Sequence, residues 1–158
     1  MKNDISAIGN ALVDTVFKVE HSLISELGLE IDQMTLSSAE EHAPIIERLI
    51  ASGADTISDC GGSATNSLGA AASFGAKCFH ICKVSEDQDG IRYLKSLKEA
   101  GVDHKGNASS TNSIPTGKCL ILVTPDAKRT MTTALNISSL MDESDLDLDQ
   151  IANSKIFY

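Results

Sequence analysis

Six consecutive residues, Gly61, Gly62, Ser63, Ala64, Thr65 and Asn66, are of the types that would hold a hydroxyl-rich or anionic ligand. Glycine lacks a Cβ, so main-chain amides there can lie against a bound molecule. A run of small residues, 67–73, follows and reads as a helix. The first amides of a helix have no intrahelical partner and point outward, where a ligand oxygen can accept from them. Asn66, one turn in, adds a side-chain amide. The same pattern also suits a purely structural helix entry, since glycine-rich starts are common in α/β folds.

Two charged residues have related potential. A carboxylate such as Asp14 accepts two hydrogen bonds from a vicinal diol, and charge-assisted bonds of this kind are stronger than neutral ones. Asp14 equally suits a turn cap, and Asn10 the support of a bulge. Lys83 leaves the end of a strand-like run, the place where open α/β sheets bind ligands. Its charge either organises a substrate cleft or pairs with Glu86 or Asp87.

An alternation of strand-like and helix-like segments must position these groups. Residues 7–19 are apolar and β-rich, interrupted by Gly9-Asn10 and Asp14, and read as a core strand running on into an outlying one. Residues 21–27 form a short helix stopped by Gly28. Ser37-Ser38 with Glu40-Glu41 give two overlapping capping boxes. Ile45, Ile46, Leu49 and Ile50 then follow at helical spacing, with Gly53 as the stop. The small-residue helix covers 64–74, and residues 76–84 read as a strand. Residues 89–100 read as a helix with Ile91, Leu94 and Leu97 on one face and Gly101 at its end. This alternation predicts a layered α/β fold with a mostly parallel sheet.

Residues 118–135 break the alternation. Two strand runs flank Pro125-Asp126, a turn pair by its backbone preferences, and predict a hairpin. An isolated hairpin is marginal, so residues 13–19 and 30–36 are its natural partners in a small sheet standing off the body. Cys119 and Ile121 read as packing within that sheet, and Gln33 as a further contact for a base or sugar. Residues 142–149 read as an acidic helix entry, where negative charge suits the helix N-terminus. The final Ile156-Phe157-Tyr158 is a strand pattern with no turn or cap after it. It reads as a cut chain, with an edge strand of a small complete domain as the alternative.

At 158 residues the chain can bury roughly two-thirds of its unfolded surface. Hydrophobic content of 42% and charged content of 22% fit a globular protein. The net charge of −9 disfavours nucleic acid and anionic membrane as partners, both of which select basic patches. No apolar run approaches the roughly 20 residues of a membrane span. Met1-Lys2-Asn3-Asp4 leads into a strand without a signal-peptide core, which predicts a cytoplasmic protein. Cys78 and Cys82 share a strand face with His80, but their separation is too large for a disulfide. All four cysteines, Cys60, Cys78, Cys82 and Cys119, read as reduced thiols, although a Cys/His cluster is geometrically conceivable.

The pieces occur in a telling order: Ile5 through Asp14, the Gly-Gly-Ser-x-x-Asn helix, Lys83-Val84-Ser85-Glu86-Asp87-x-x-Gly90, Pro115-Thr116-Gly117 and Pro125-Asp126-Ala127-Lys128-Arg129-Thr130. In this order and spacing they resemble the N-terminal half of the pfkB carbohydrate kinase family, the ribokinase and adenosine kinase superfamily. The resemblance implies a ribokinase-like layered α/β body with a mostly parallel sheet plus a small β-sheet lid. Residues 1–158 would be the N-terminal part of one kinase domain, with lid strands at about 13–19, 30–36 and 118–135. The family's second half, with its acidic metal-associated motif and Gly-Ala-Gly-Asp signature, is missing. Ser85 stands where the family usually has glycine.

The function implied is ATP-dependent phosphoryl transfer to a hydroxyl of a sugar or nucleoside. The resemblance assigns acceptor binding to Asn10, Asp14, Gly62, Ser63, Asn66, Lys83, Arg129 and Asn136. Arg129 would meet phosphate at the cleft mouth, with a solvated strand-end charge as the alternative. The catalytic base, the anion hole and the main elements for ATP and Mg2+ belong to the absent half, so no catalytic residue or metal ligand is assigned here. The helical insertion at 22–50 looks more like adenosine kinase-type members than compact ribokinases. A non-catalytic sugar- or nucleoside-binding module is the alternative. A dinucleotide-binding oxidoreductase is weak, because Gly9-Asn10-Ala11 does not complete Gly-x-Gly-x-x-Gly.

Overall fold

The computed structural model describes residues 2–109 and 114–158, and the side chains of all of these except 107–109. Two sheets share the chain. The first has four parallel strands in the order β6 (Val102–Ser109), β5 (Cys78–Ser85), β1 (Asn3–Ile8) and β9 (Ser154–Phe157). The second has five strands in the order β3 (Met34–Leu36), β8 (Arg129–Ala134), β7 (Gly117–Val123), β2 (Leu12–Lys18) and β4 (Thr56–Gly61). Here β7 pairs antiparallel with β8 and parallel with β2, and β4 runs antiparallel to β2.

The run at 7–19 thus serves both sheets. It leaves the first at Ile8 and enters the second at Leu12. The expected partners of the hairpin are its partners, although the segment at 30–36 supplies only the three residues of β3. Two strands escape a pattern reading. In β4, residues 56–59 lie exposed at a sheet edge, so no apolar alternation marks them. In β6, the sequence Val-Asp-His-Lys-Gly-Asn-Ala-Ser is mostly polar and is held by its ladder to β5.

Helices α3 (Ser63–Ser73) and α4 (Gln88–Glu99) cover one face of the first sheet. Ala64, Leu68, Tyr93 and Leu97 meet Ala7, Cys82 and Val84 in one core. Helical spacing put Ile91 on the buried face of α4, but it is 65% exposed; Gly90, Tyr93 and Leu97 form that face instead. Tyr93, at period i and i+4 with Leu97, was the better anchor. Helices α1 (His21–Glu26) and α2 (Ala39–Ala51) cover the outer face of the second sheet, where Ile24 and Leu49 pack on Phe17, Leu120 and Leu122. Of the two capping boxes open to α2, Ser38 with Glu41 is the one that forms. After the 3₁₀ turn Asn136–Leu140, the acidic stretch at 142–149 holds a second 3₁₀ turn, Glu143–Asp145, and the acidic start of the short helix α5 (Leu148–Ala152), which Asp147 caps.

Candidate functional site

The chain crosses between its two sheets at residues 9–11 and again where β4 ends in Gly61 and α3 begins. Both crossings border a cleft of about 570 Å³ between the start of α3 and the inner face of the second sheet. Asn10, Asp14, Gly62, Ser63, Asn66 and Arg129 all line it.

The glycine pair has two separate jobs. Gly62 has φ +103 and is the N-cap of α3; a Cβ there would stand 2.4 Å from the Asn10 carbonyl oxygen. Gly61 makes room for Asp14, since a Cβ at that position would lie 2.1 Å from Asp14 Cγ. Among the described residues no side chain caps α3 or α1, in contrast to Ser38 on α2, Asp87 on α4 and Asp147 on α5. The Asn66 N–H donates to the Gly62 carbonyl at 3.0 Å, so the amides before it are those a helix start leaves for an outside acceptor.

Asp14 is half-buried in β2, in register with Asp59 of β4 and Cys119 of β7. Burial raises its carboxyl above the ordinary range; Arg129 nearby draws it down and Asp59 pushes it up. The lid-side wall is apolar, formed by Leu12, Met34, Cys119, Ile121 and Met131. Cys119 and Ile121 do pack in the sheet, being 5% and 4% exposed, and they are also the cleft wall. Burial pushes the Cys119 thiol up, away from the thiolate form.

Two assigned residues lie elsewhere. Lys83 donates to Asp145 Oδ2 at 2.7 Å and to the Leu140 carbonyl at 3.0 Å. It is thus paired, but with neither Glu86 nor Asp87, and it tethers the segment after β8 to β5. Asn136 lies beyond the end of β8 with φ +49, its amide donating to the Thr116 carbonyl at 3.1 Å. It borders a separate cavity with Ser37 and Ile114. Gln33 is exposed, and its carbonyl accepts from the Met131 N–H at 2.8 Å. Residue reading missed Leu12, Met34 and Met131 as cleft residues. The shared parity of Leu12 and Asp14 was a usable signal; the pairing of Met34 with Met131 in adjacent strands was not visible in sequence.

The motif containing Ser85 has a structural role. Asp87 Oδ1 accepts from the Gly90 N–H at 2.7 Å and the Thr116 hydroxyl at 2.7 Å, and Oδ2 accepts from the Thr116 N–H at 2.8 Å. Burial pushes the Asp87 carboxyl up, but these donors outweigh it and hold it below its ordinary value. Ser85 donates its hydroxyl to the Ile114 carbonyl, and its N–H to Thr116 Oγ1 at 3.0 Å.

The pfkB family carbohydrate kinase model matches residues 32–158. The chain belongs to the pfkB family. Its fold is that of ribokinase-type kinases. A probable sugar kinase from Rhizobium etli CFN 42 superposes on all of the chain with a TM-score of 0.88 at 26% identity. Adenosine kinase from Sinorhizobium meliloti does so with a TM-score of 0.83 at 30% identity. Adenosine kinase from Anopheles gambiae, in complex with P1,P4-di(adenosine-5) tetraphosphate, gives 0.85 at 25%. The chain spans 47%, 47% and 50% of these proteins, about half their length. No curated protein matches the chain by sequence. No helix among the described residues is long and apolar enough to cross a membrane.

Proposed function

We propose that this pfkB-family chain binds the acceptor in a cytoplasmic kinase that transfers a phosphoryl group from ATP to a hydroxyl of a nucleoside or sugar. The observation that carries this reading is the convergence of Asp14, Asn10, Asn66 and the uncapped start of α3 on one cleft. Asp14 accepts from a vicinal diol, and the Asn10 and Asn66 amides bracket the same hydroxyls. The α3 amides donate to oxygens of the bound acceptor. Arg129 faces the anionic donor. The second sheet covers the acceptor and excludes water, and phosphoryl transfer depends on such positioning and shielding.

ATP and Mg2+ are proposed for the portion of a full-length kinase beyond these residues. Among the described residues, no three of His, Cys, Asp and Glu gather as metal ligands. The apolar wall of Leu12, Met34, Cys119, Ile121 and Met131 favours an acceptor with an apolar ring face, a nucleoside ahead of a free sugar. The test is calorimetric titration of the 158-residue chain with adenosine and with D-ribose. Binding of adenosine that Asp14→Asn weakens supports the reading; tighter binding of ribose reverses the preference, and binding of neither overturns it. ATP turnover by the chain alone is expected to be at background.

A further inference from the structure

A buried polar cluster lies directly beneath the cleft. His80, in the middle of β5, is fully buried among apolar neighbours. Its Nδ1 faces the Ala7 carbonyl at 3.3 Å, so the neutral ring donates there and accepts at Nε2. Nε2 lies 3.2 Å from Thr65 Oγ1 and 3.3 Å from Tyr93 Oη, and those two hydroxyls also meet each other. Tyr93 is fully buried and Thr65 nearly so. A polar ring in an apolar strand is costly unless each nitrogen is paired, and here each is.

The partners belong to the two backbone segments that carry the cleft. Ala7 is in β1, three residues before Asn10. Thr65 is in the first turn of α3, next to Asn66. The ring also underlies the crossing itself, with Cε1 3.9 Å from where Gly9 would carry a Cβ. Hydrogen bonds constrain direction as well as distance, which apolar packing of β1 on α3 does not.

We propose that His80, acting through Thr65, is a positioning residue that locks the end of β1 to the first turn of α3 and so sets the spacing of Asn10 and Asn66 across the acceptor cleft. The importance of that spacing rests on the acceptor-binding reading above; the lock itself does not. Tyr93 stabilises the Thr65 hydroxyl but is not required to bridge the segments.

Residue-resolved hydrogen exchange on the 158-residue chain tests the lock. The reporters are the Gly9 N–H, which donates to the Ile81 carbonyl at 3.3 Å, and the Asn66 N–H, which donates to the Gly62 carbonyl at 3.0 Å. Thr65→Val keeps the shape and removes the hydroxyl. It should accelerate exchange at both reporters by about tenfold, an opening change of one RT ln 10, while Leu120 and Leu122 in the second sheet keep their rates. Thr65→Ser should restore protection, and Tyr93→Phe should leave it intact. The His80 ring nitrogens should show the Nδ1–H tautomer. Unchanged reporters in Thr65→Val, equal acceleration in both sheets, failure of Thr65→Ser to rescue, or an Nε2–H tautomer would each overturn the proposal. Adenosine titration of the same variants separates the two readings. If the wild-type chain binds, Thr65→Val should weaken binding severalfold and Thr65→Ser should not; equal affinity in Thr65→Val overturns the link from lock to cleft. If the wild-type chain does not bind, the acceptor reading fails, and the exchange data still decide the lock.

Discussion

The Asp14 carboxylate occupies the space into which Gly61 would extend a side chain: a Cβ on Gly61 would lie within 2.2 Å of both carboxylate oxygens. Asp14 faces the cleft because its neighbour in the adjacent strand is only backbone there. Gly61→Ala should therefore displace the carboxylate and weaken acceptor binding about as much as removing its charge. Calorimetric titration of Gly61→Ala with adenosine, with Asp14→Asn alongside, checks this. An affinity for Gly61→Ala equal to wild type would separate Asp14 from the site.

Asp14→Asn should divide function from stability. Losing a charged hydrogen bond costs roughly 1.5–3 kcal/mol, about a tenfold to hundredfold loss of acceptor affinity. The melting temperature should hold or rise. Burial raises the Asp14 carboxyl in the folded state, so its charge opposes folding above that raised value, and the neutral amide removes the opposition. A variant that melts lower and binds normally would make Asp14 a purely structural residue of β2.

Stability should fall as pH drops from about 6.5 to 4. Burial first, and then the nearby His104, lowers His80 from 6.5 to about 4, with its bond to Ala7 opposing the fall. The unfolded chain therefore takes up a proton that the folded chain refuses, and stability present above pH 6.5 is lost on acidification. The shift corresponds to about 3 kcal/mol at full extent. His42 and His104 are lowered by burial too and add to the same limb. Urea midpoints across this range should decline less steeply in His80→Gln than in wild type; parallel curves would refute the assignment.

Lys83→Met should destabilise the fold by about 3–5 kcal/mol, the usual result of breaking a buried ion pair from one side. The pair with Asp145 is 14% and 5% exposed. The double variant Lys83→Met with Asp145→Leu should recover much of the loss, because it leaves no charge behind. Denaturant melts of both variants test this. A Lys83→Met chain as stable as wild type would show that the pair contributes nothing.

The chain by itself should self-associate through the β9 edge. Ile156, Phe157 and Tyr158 are each at least half exposed beside the open side of that strand. An unpaired apolar edge templates further strand pairing. Sedimentation should show concentration-dependent association that Phe157→Lys suppresses. A monomer at all concentrations would rule out this edge as the contact.

Local chemistry determined much of this protein in advance. The Ser38 capping box, the Pro125-Asp126 hairpin turn and the small-residue helix after Gly61-Gly62 each depend on interactions within a few residues, so each is legible in a linear sequence. The order of those pieces carried the family and the α/β class. Asn10, Asp14, Gly62, Ser63, Asn66 and Arg129 were also named from motif positions, and the fold brings them to one cleft. What only the tertiary structure decided are relationships between distant residues. Lys83 had acidic neighbours on its own strand end, yet it pairs with Asp145, 62 positions away, where a return of the chain buries both. Polar β6 is a strand because β5 offers it a ladder. Gly61 is needed because of a carboxylate 47 residues earlier in the chain, and His80 is paired because β1 and α3 meet over it. Side-chain partners across strands depend on register, and register is set by the packing of the whole fold.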